Sequence, residues 1–250
     1  KTNNMDRNEL IKLSTKHLYR EMPIRFAHRI KDLNILPFGL SSNHNISHIR
    51  NWYLTSFEEI TSKPEPTKAD EIVVFSQDIR KIFERHSATL ITMSRGIIEL
   101  KEAGYLDEKH DHDIQNLLNR FYRNRTEIRI LLQQYLSLFD NYDKKLINIS
   151  CDIENIISKA IENIDYICRH NSYPILVSNI INIDGNGKVP FIEDYLYYIL
   201  FEILKNSTQA IIDFSNRPKI DIFIRKLPGY VFINIRDNGI GIRETELNKI

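Results

Sequence analysis

The sequence predicts an α+β protein in two parts: an N-terminal four-helix bundle over residues 1–143 and a C-terminal α/β sandwich over residues 144–250. Three observations predict it. Apolar residues recur at helical spacing through the first part. Near residue 145 the pattern changes to short, β-branched, alternating runs separated by turn residues. A long, strongly apolar helix, residues 192–214, lies among those runs.

Taken in order, Pro23 and Pro37 bracket a short first helix. Residues 61–70 hold Pro64 and Pro66 among polar side chains and read as a loop between two bundle helices. One stripe follows through Ile79, Ile82, Phe83, Leu90, Met93, Ile97 and Leu100. Another runs through Phe121, Ile128, Leu131, Leu132, Tyr135 and Phe139. Such stripes bury their apolar faces only against one another, hence a bundle. In the second part, residues 145–149 alternate like a strand, and Asp152 caps a helix over 153–169. Residues 174–183 read as a strand, and Asp184-Gly185-Asn186-Gly187 as a turn. The apolar helix ends before Pro218. Two alternating runs, Ile220-Ile222-Ile224 and Val231-Ile233-Ile235, joined through Pro228-Gly229, then form a hairpin.

Composition excludes several classes of function. The 250 residues are 42% hydrophobic and 27% charged, as in a folded globular chain. The formal net charge is +1, so charge makes no case for nucleic acid or an acidic membrane surface. No apolar run reaches the roughly 18 residues of a membrane span. Two cysteines, Cys151 and Cys168, suit neither a disulfide framework nor a zinc site, and a reducing compartment is the simpler reading. The polar first residues read as the start of a mature form from which a targeting segment has gone.

Two motifs carry chemistry. In Glu202-Ile203-Leu204-Lys205-Asn206, Glu202 and Asn206 share a helix face that Gln209 and Asp213 extend. An Asn oxygen suits Mg²⁺, and a Glu one turn away can take a proton from a hydroxyl or a water. Alone, such a pair is most often a solvated face. The second motif is Asp237-x-Gly239-x-Gly241 directly after a strand. Its carboxylate can accept from an amine such as that of adenine, and its glycines let a planar ring approach the backbone. Alone, it is most often an ordinary turn. Together, in this order and context, they resemble the Bergerat-type ATP fold of histidine kinases, gyrase-type ATPases, heat-shock chaperones and mismatch-repair ATPases. No Gly-x-x-x-x-Gly-Lys is present, so a P-loop has no support.

The bundle narrows the resemblance. The run from Tyr19 through Pro23, His28 and Arg29 to Lys31 resembles the mitochondrial 2-oxoacid dehydrogenase kinases, both pyruvate and branched-chain. So do Leu36-Pro37, Trp52-Tyr53, Arg85-His86, and the run Met93-Ser94-Arg95-Gly96 continuing to Glu99. Leu118-Asn119-Arg120-Phe121-Tyr122 with Arg125-x-x-x-Arg129, and Phe201-Glu202 with Lys205-Asn206-Ser207, complete the match. Residues 27–38 look branched-chain-like and Phe121-Tyr122 pyruvate-like, so the two families stay unseparated.

The resemblance implies a regulatory and docking bundle followed by a histidine-kinase-like ATPase domain. It also implies ATP and Mg²⁺ as cofactors and transfer to a serine of the E1α subunit. Docking on the lipoyl domain of the E2 core, a homodimer and the mitochondrial matrix go with it. Glu202 would be the general base, Asn206 the Mg²⁺ ligand and Lys205 a phosphate neighbour. Gln209 would sit beside them, with Asp237 the adenine anchor and Gly239 and Gly241 shaping its loop. Two departures bear on activity. Tyr198 stands four before Glu202, where the family usually has a His, and the glycine box carries Asn238 and Ile240. The chain stops before the lid and second glycine box that the family leads one to expect. His86 reads first as a bundle histidine with an ordinary hydrogen bond; the alternative is an anion pocket with Arg125 and Arg129, where the resemblance implies a site for regulatory 2-oxoacids. Arg120 and Arg123 read as solvated. A Bergerat-type ATPase or chaperone and a nucleotide-binding pseudokinase are the competing readings.

Overall fold

A computed structural model describes residues 6–140, 146–171, 173, 177–182, 188–212 and 219–243. The chain divides into two compact units, Lys1–Lys145 and Leu146–Ile250. The fold is α+β. The predicted turn at 184–187, together with Asp213, Phe214 and Pro218, lies outside the described residues.

The described residues of unit 1 form five α-helices: α1 (Arg7–Asn34), α2 (His44–Thr61), α3 (Ala69–Arg85), α4 (Thr89–Glu102) and α5 (Asp111–Asp140). The short helix expected between Pro23 and Pro37 is corrected, because α1 starts at Arg7 and runs through Pro23 to Asn34. Interior proline costs about 3 kcal/mol. Here Thr15, Leu18, Met22, Phe26, Arg29 and Leu33 form one unbroken buried stripe on both sides of it. Breaking the helix would remove half of that stripe from the core, so burial overrides the local cost. The single stripe read across residues 79–100 is two helices, α3 and α4, which raises the helix count to five. The loop expected over 61–70 is present between α2 and α3. Asn43 caps α2: its Oδ1 accepts from the amides of Asn45 (2.9 Å) and Ile46 (3.3 Å). Gly96 of α4 passes so close that an added Cβ would sit 2.8 Å from that Oδ1.

Unit 2 carries β1 (Asn148–Asp152), α6 (Ile153–His170), β2 (Val177–Asn182), β3 (Lys188–Phe191), α7 (Glu193–Ile212), β4 (Lys219–Leu227) and β5 (Tyr230–Asp237). One sheet has the order β2-β4-β5, with β2 parallel and β5 antiparallel to β4. Ile220, Ile222 and Ile224 of β4 are buried against α6 and α7. On β5, Val231, Ile233 and Ile235 line the same core. The hairpin turns at Pro228-Gly229, with φ +87° at the glycine, the pattern of a type II turn. This phasing ends β5 at Asp237 and places the glycine box immediately beyond it.

Two details were not read from the sequence. Strand β1 lies three residues later than expected, because Cys151 is buried while Ile147 and Ile149 are exposed. Its partner β3 was missed: four residues including Pro190 carry no strand signature, and the pair is a separate antiparallel sheet with Cys151 opposite Val189. The expected cap does form, since Asp152 Oδ1 accepts from the Asn155 amide at 3.1 Å.

Replacing Asp152 with alanine should lower the stability of unit 2 by about 1 kcal/mol, the usual worth of such a cap. Urea denaturation monitored by far-UV circular dichroism measures it. Asp152→Asn, which keeps the acceptor, should recover most of the loss; an alanine variant as stable as the parent would contradict the cap.

Candidate functional site

The two sequence motifs meet in unit 2. Helix α7 is pinned by Leu196, Leu200, Leu204, Ser207, Thr208 and Ile211, all buried. That leaves Asn206 and Gln209 exposed and Glu202 half-buried on its other side. The last carbonyls of a helix lack intrahelical partners. One of them, at Ala210, accepts from the Ile240 amide of the glycine box at 3.3 Å. Gly239 makes this approach possible. A Cβ there would lie 2.6 Å from the Ala210 oxygen and 2.8 Å from both the carbonyl carbon and Cβ of Ala210. Gly241 has φ +74° and open space around it, so its need is conformational.

Asp237 is held by the same loop. Its Oδ1 accepts from the Gly239 amide at 3.0 Å, an Asx turn that orients the carboxylate. Asn238 Oδ1 accepts from the Lys219 amide at 3.1 Å and ties the loop to the start of β4. So Asp237 and Gly239 are fixed against the end of the helix that carries Glu202, Lys205 and Asn206 one to two turns earlier.

The helix motif itself holds a feature the sequence did not announce. Glu202 Oε2 lies 2.6 Å from Lys205 Nζ, with about a third of the Glu202 side chain exposed. Tyr198 is 62% exposed. The position where the resemblance leads one to expect a partner for Glu202 therefore points to solvent, and Lys205 takes that place. Among the described residues no three His, Cys, Asp or Glu side chains gather as a metal cluster. A Mg²⁺ held by one amide oxygen and substrate phosphates needs none.

The second candidate lies wholly in unit 1. His86 caps the end of α3 and is 3% exposed. Its Nε2 is 3.0 Å from Ser56 Oγ, and its ring lies 4.3 Å from Tyr53 and 5.8 Å from Phe26. Arg125 Nη2 donates to the His86 carbonyl at 3.2 Å. Arg129 Nη1 donates to the Phe83 carbonyl, and its guanidinium stands 4.0 Å over the Phe83 ring. The structure thus brings His86, Arg125 and Arg129 together. It adds residues that the sequence reading missed. Arg85 donates to Ser56 Oγ (2.8 Å) and pairs with Glu59 (2.6 Å). Arg29, 8% exposed, pairs with Asp32 at 2.8 Å. Among the described residues, Arg29 Nη1 and His86 Nδ1 are buried without a hydrogen-bond partner. The available signal for Arg29 was its place on the buried stripe of α1.

The charges converge on two rings. Burial pushes the Tyr53 hydroxyl up to about 12, although Arg125, Arg29 and Arg129 pull it down. Burial, then Arg85, Arg125 and Arg129, push the His86 imidazole down to about 3. A neutral imidazole, a phenol, a serine hydroxyl and several guanidinium groups form a buried cluster whose charge suits a small anion.

Comparison with known proteins adds a family. A family model described as mitochondrial branched-chain alpha-ketoacid dehydrogenase kinase matches residues 2–167. The chain is 29% identical over 268 residues to the mitochondrial [pyruvate dehydrogenase (acetyl-transferring)] kinase of Drosophila melanogaster, covering 97% of this chain and 64% of that protein. The kinase of the same description in Ascaris suum is 28% identical over 256 residues, covering 96% and 64%. Isozyme 1 of Homo sapiens is 26% identical over 263 residues, covering 97% and 60%. The chain thus spans somewhat under two thirds of the length of these relatives.

The depressed His86 predicts a pH dependence. An unfolded histidine takes up its proton near 6.5, the folded one near 3. The unfolded state binds the proton first, so the stabilising contribution of neutral His86 is full above pH 6.5 and is lost as pH falls toward 3. Unfolding free energies from urea titrations across that window should fall for the parent more steeply than for His86→Gln, by about 1.4 kcal/mol per pH unit at most. Parallel profiles would show that His86 is not held neutral by the fold.

Proposed function

The chain belongs to the mitochondrial 2-oxoacid dehydrogenase kinase family, and from that premise we propose that it is an ATP-dependent protein serine kinase with a Bergerat-type nucleotide site, acting on the E1α subunit of a pyruvate or branched-chain 2-oxoacid dehydrogenase. The observation that carries this reading is the seating of the glycine box on α7, through Gly239 and the Ile240–Ala210 hydrogen bond. It joins an adenine-type acceptor to a metal-type ligand in one unit. The family supports the mitochondrion as the compartment; the matrix, docking on the lipoyl domain of the E2 core and a homodimer are parts of the same proposal.

The residues fit the ligands proposed for them. The space a Cβ would fill at Gly239 keeps the loop flat against α7, and the Asx turn leaves Asp237 capacity to accept from the adenine amine. Asn206 would contribute an amide oxygen to Mg²⁺, with Gln209 a turn beyond it on the exposed side. When bound, Mg²⁺-ATP supplies the phosphoryl group and neutralises charge as it transfers. Glu202 would take the proton of the substrate serine. With Lys205 at 2.6 Å, one of its oxygens is occupied. We propose that Lys205 turns to the phosphates as they arrive and so releases Glu202. Gly241 would give the loop its bend on the side away from α7.

Two competing readings keep some support. A Bergerat-type ATPase or chaperone would use Glu202 on water, but the five-helix unit ahead of the site favours a kinase. A pseudokinase is favoured by one observation, the exposed Tyr198 in place of a residue that pairs with Glu202. In unit 1, we propose that the pocket of His86, Arg125 and Arg129, extended by Arg29, Tyr53 and Ser56, binds a regulatory 2-oxoacid anion.

Incubation with γ-labelled ATP and E1α separates these readings. A kinase moves label to E1α, an ATPase releases free phosphate, and a pseudokinase does neither while still binding nucleotide. Asp237→Ala should weaken ATP ten- to a hundred-fold, the cost of leaving the adenine amine unpaired at about 1–3 kcal/mol. Glu202→Gln should bind ATP nearly as well as the parent and transfer on the order of a hundred-fold more slowly. Transfer at the parental rate by Glu202→Gln would end the assignment of the base.

A further inference from the structure

Resting on that nucleotide-site reading, we infer that Ala210 is a positioning residue, whose carbonyl and methyl group set the spacing between the adenine-binding loop and the metal-binding turn of α7. Two contacts from neighbouring loop residues fix it. The carbonyl of Ala210 belongs to the last turn of α7, where a helix leaves acceptors over, and it is closed by the Ile240 amide from across the site. The alpha carbon of Gly239 rests on the same residue so closely that even one added carbon would overlap the Ala210 carbonyl and Cβ.

The chain geometry converts this contact into a distance. Asn206 lies one helical turn before Ala210 on the same helix, a spacing of about 6 Å that does not stretch. Asp237 lies two residues before Gly239 and is clamped to it by the Asx turn at 3.0 Å. Neither link can absorb a shift at Ala210, so moving the loop off α7 moves Asp237 away from Asn206 by a similar amount. A ligand that must satisfy both ends at once would feel the change, and a ligand that uses one end would not. The side chain at position 210 therefore works as a gauge. Alanine is small enough for the loop to seat; serine adds one atom and valine two, beside a backbone with no room.

The test uses the full-length protein and three ligands, measured by calorimetry in the presence of Mg²⁺: ATP, adenosine as the adenine end alone, and inorganic tripolyphosphate as the phosphate end alone. In Ala210→Val, ATP affinity should fall about ten-fold or more, while adenosine and tripolyphosphate each change by less than about two-fold. Ala210→Ser should fall between Val and the parent for ATP. Retained tripolyphosphate binding also reports that the valine variant is folded. Parallel losses for all three ligands would make Ala210 a structural residue only, and unchanged ATP affinity in Ala210→Val would remove its role. A parent protein that binds none of the three would instead sink the nucleotide-site reading on which the inference rests.

Discussion

The candidate site in unit 2 depends on the contact between an alpha carbon without a side chain, at Gly239, and the carbonyl of Ala210 near the end of α7. Much of the candidate site follows from it. The carbonyl would otherwise be one of the unmet acceptors of a helix end, and the loop supplies its donor. The same contact fixes how far beyond β5 the chain may travel before it turns. Strand β5 reaches that point in the right phase because Val231, Ile233 and Ile235 must face the α6–α7 core, so Asp237 is the residue at the edge. Burial sets the strand, the strand delivers the carboxylate, and a missing Cβ lets the carboxylate sit beside the helix that carries Asn206.

Unit 1 shows a different balance. Its helices obey burial even against local cost, as the passage of α1 through Pro23 shows. Yet the core contains charge that burial alone disfavours. Arg29, Arg125 and His86 are nearly inaccessible, and Arg125, Arg29 and Arg129 all act on the neighbouring Tyr53 hydroxyl. Glu59 and Asp32 compensate Arg85 and Arg29. Buried charge is costly unless matched. The regulatory anion proposed for this cluster would be held there by charge-assisted hydrogen bonds.

How much of this was legible in the sequence depended on where the deciding contact lay. Periodic patterns were enough for the large helices, for β4 and β5, and for Asp152 as a cap, because each is fixed by its own side chains. They failed at Pro23, where a distant core outweighs a local rule, and at β3, where four residues take their structure from a partner 36 to 43 residues away. The candidate site was legible as residue types: Glu202, Asn206, Asp237 and Gly239 were recognised from spacing. What spacing could not give was Ala210, an alanine in an apolar helix whose role arises only when the loop arrives. Nor could it give the Glu202–Lys205 pair, since Tyr198 suggested a different neighbour. In the bundle, His86, Arg125 and Arg129 stood out as residues, but Arg29 and Ser56 join them only through the packing of α1, α2 and α3.

If the helix motif and the glycine box form one ligand site, Mg²⁺-ATP must reach both at once. Amide chemical shifts of the isotope-labelled protein, followed during titration with Mg²⁺-ATP, test it most directly. A single site gives saturable shifts at Asn206, Gly239 and Ile240 that fit one dissociation constant, with none at residues on the buried face of α6. Shifts at one motif without the other, or two separate binding curves, would contradict it.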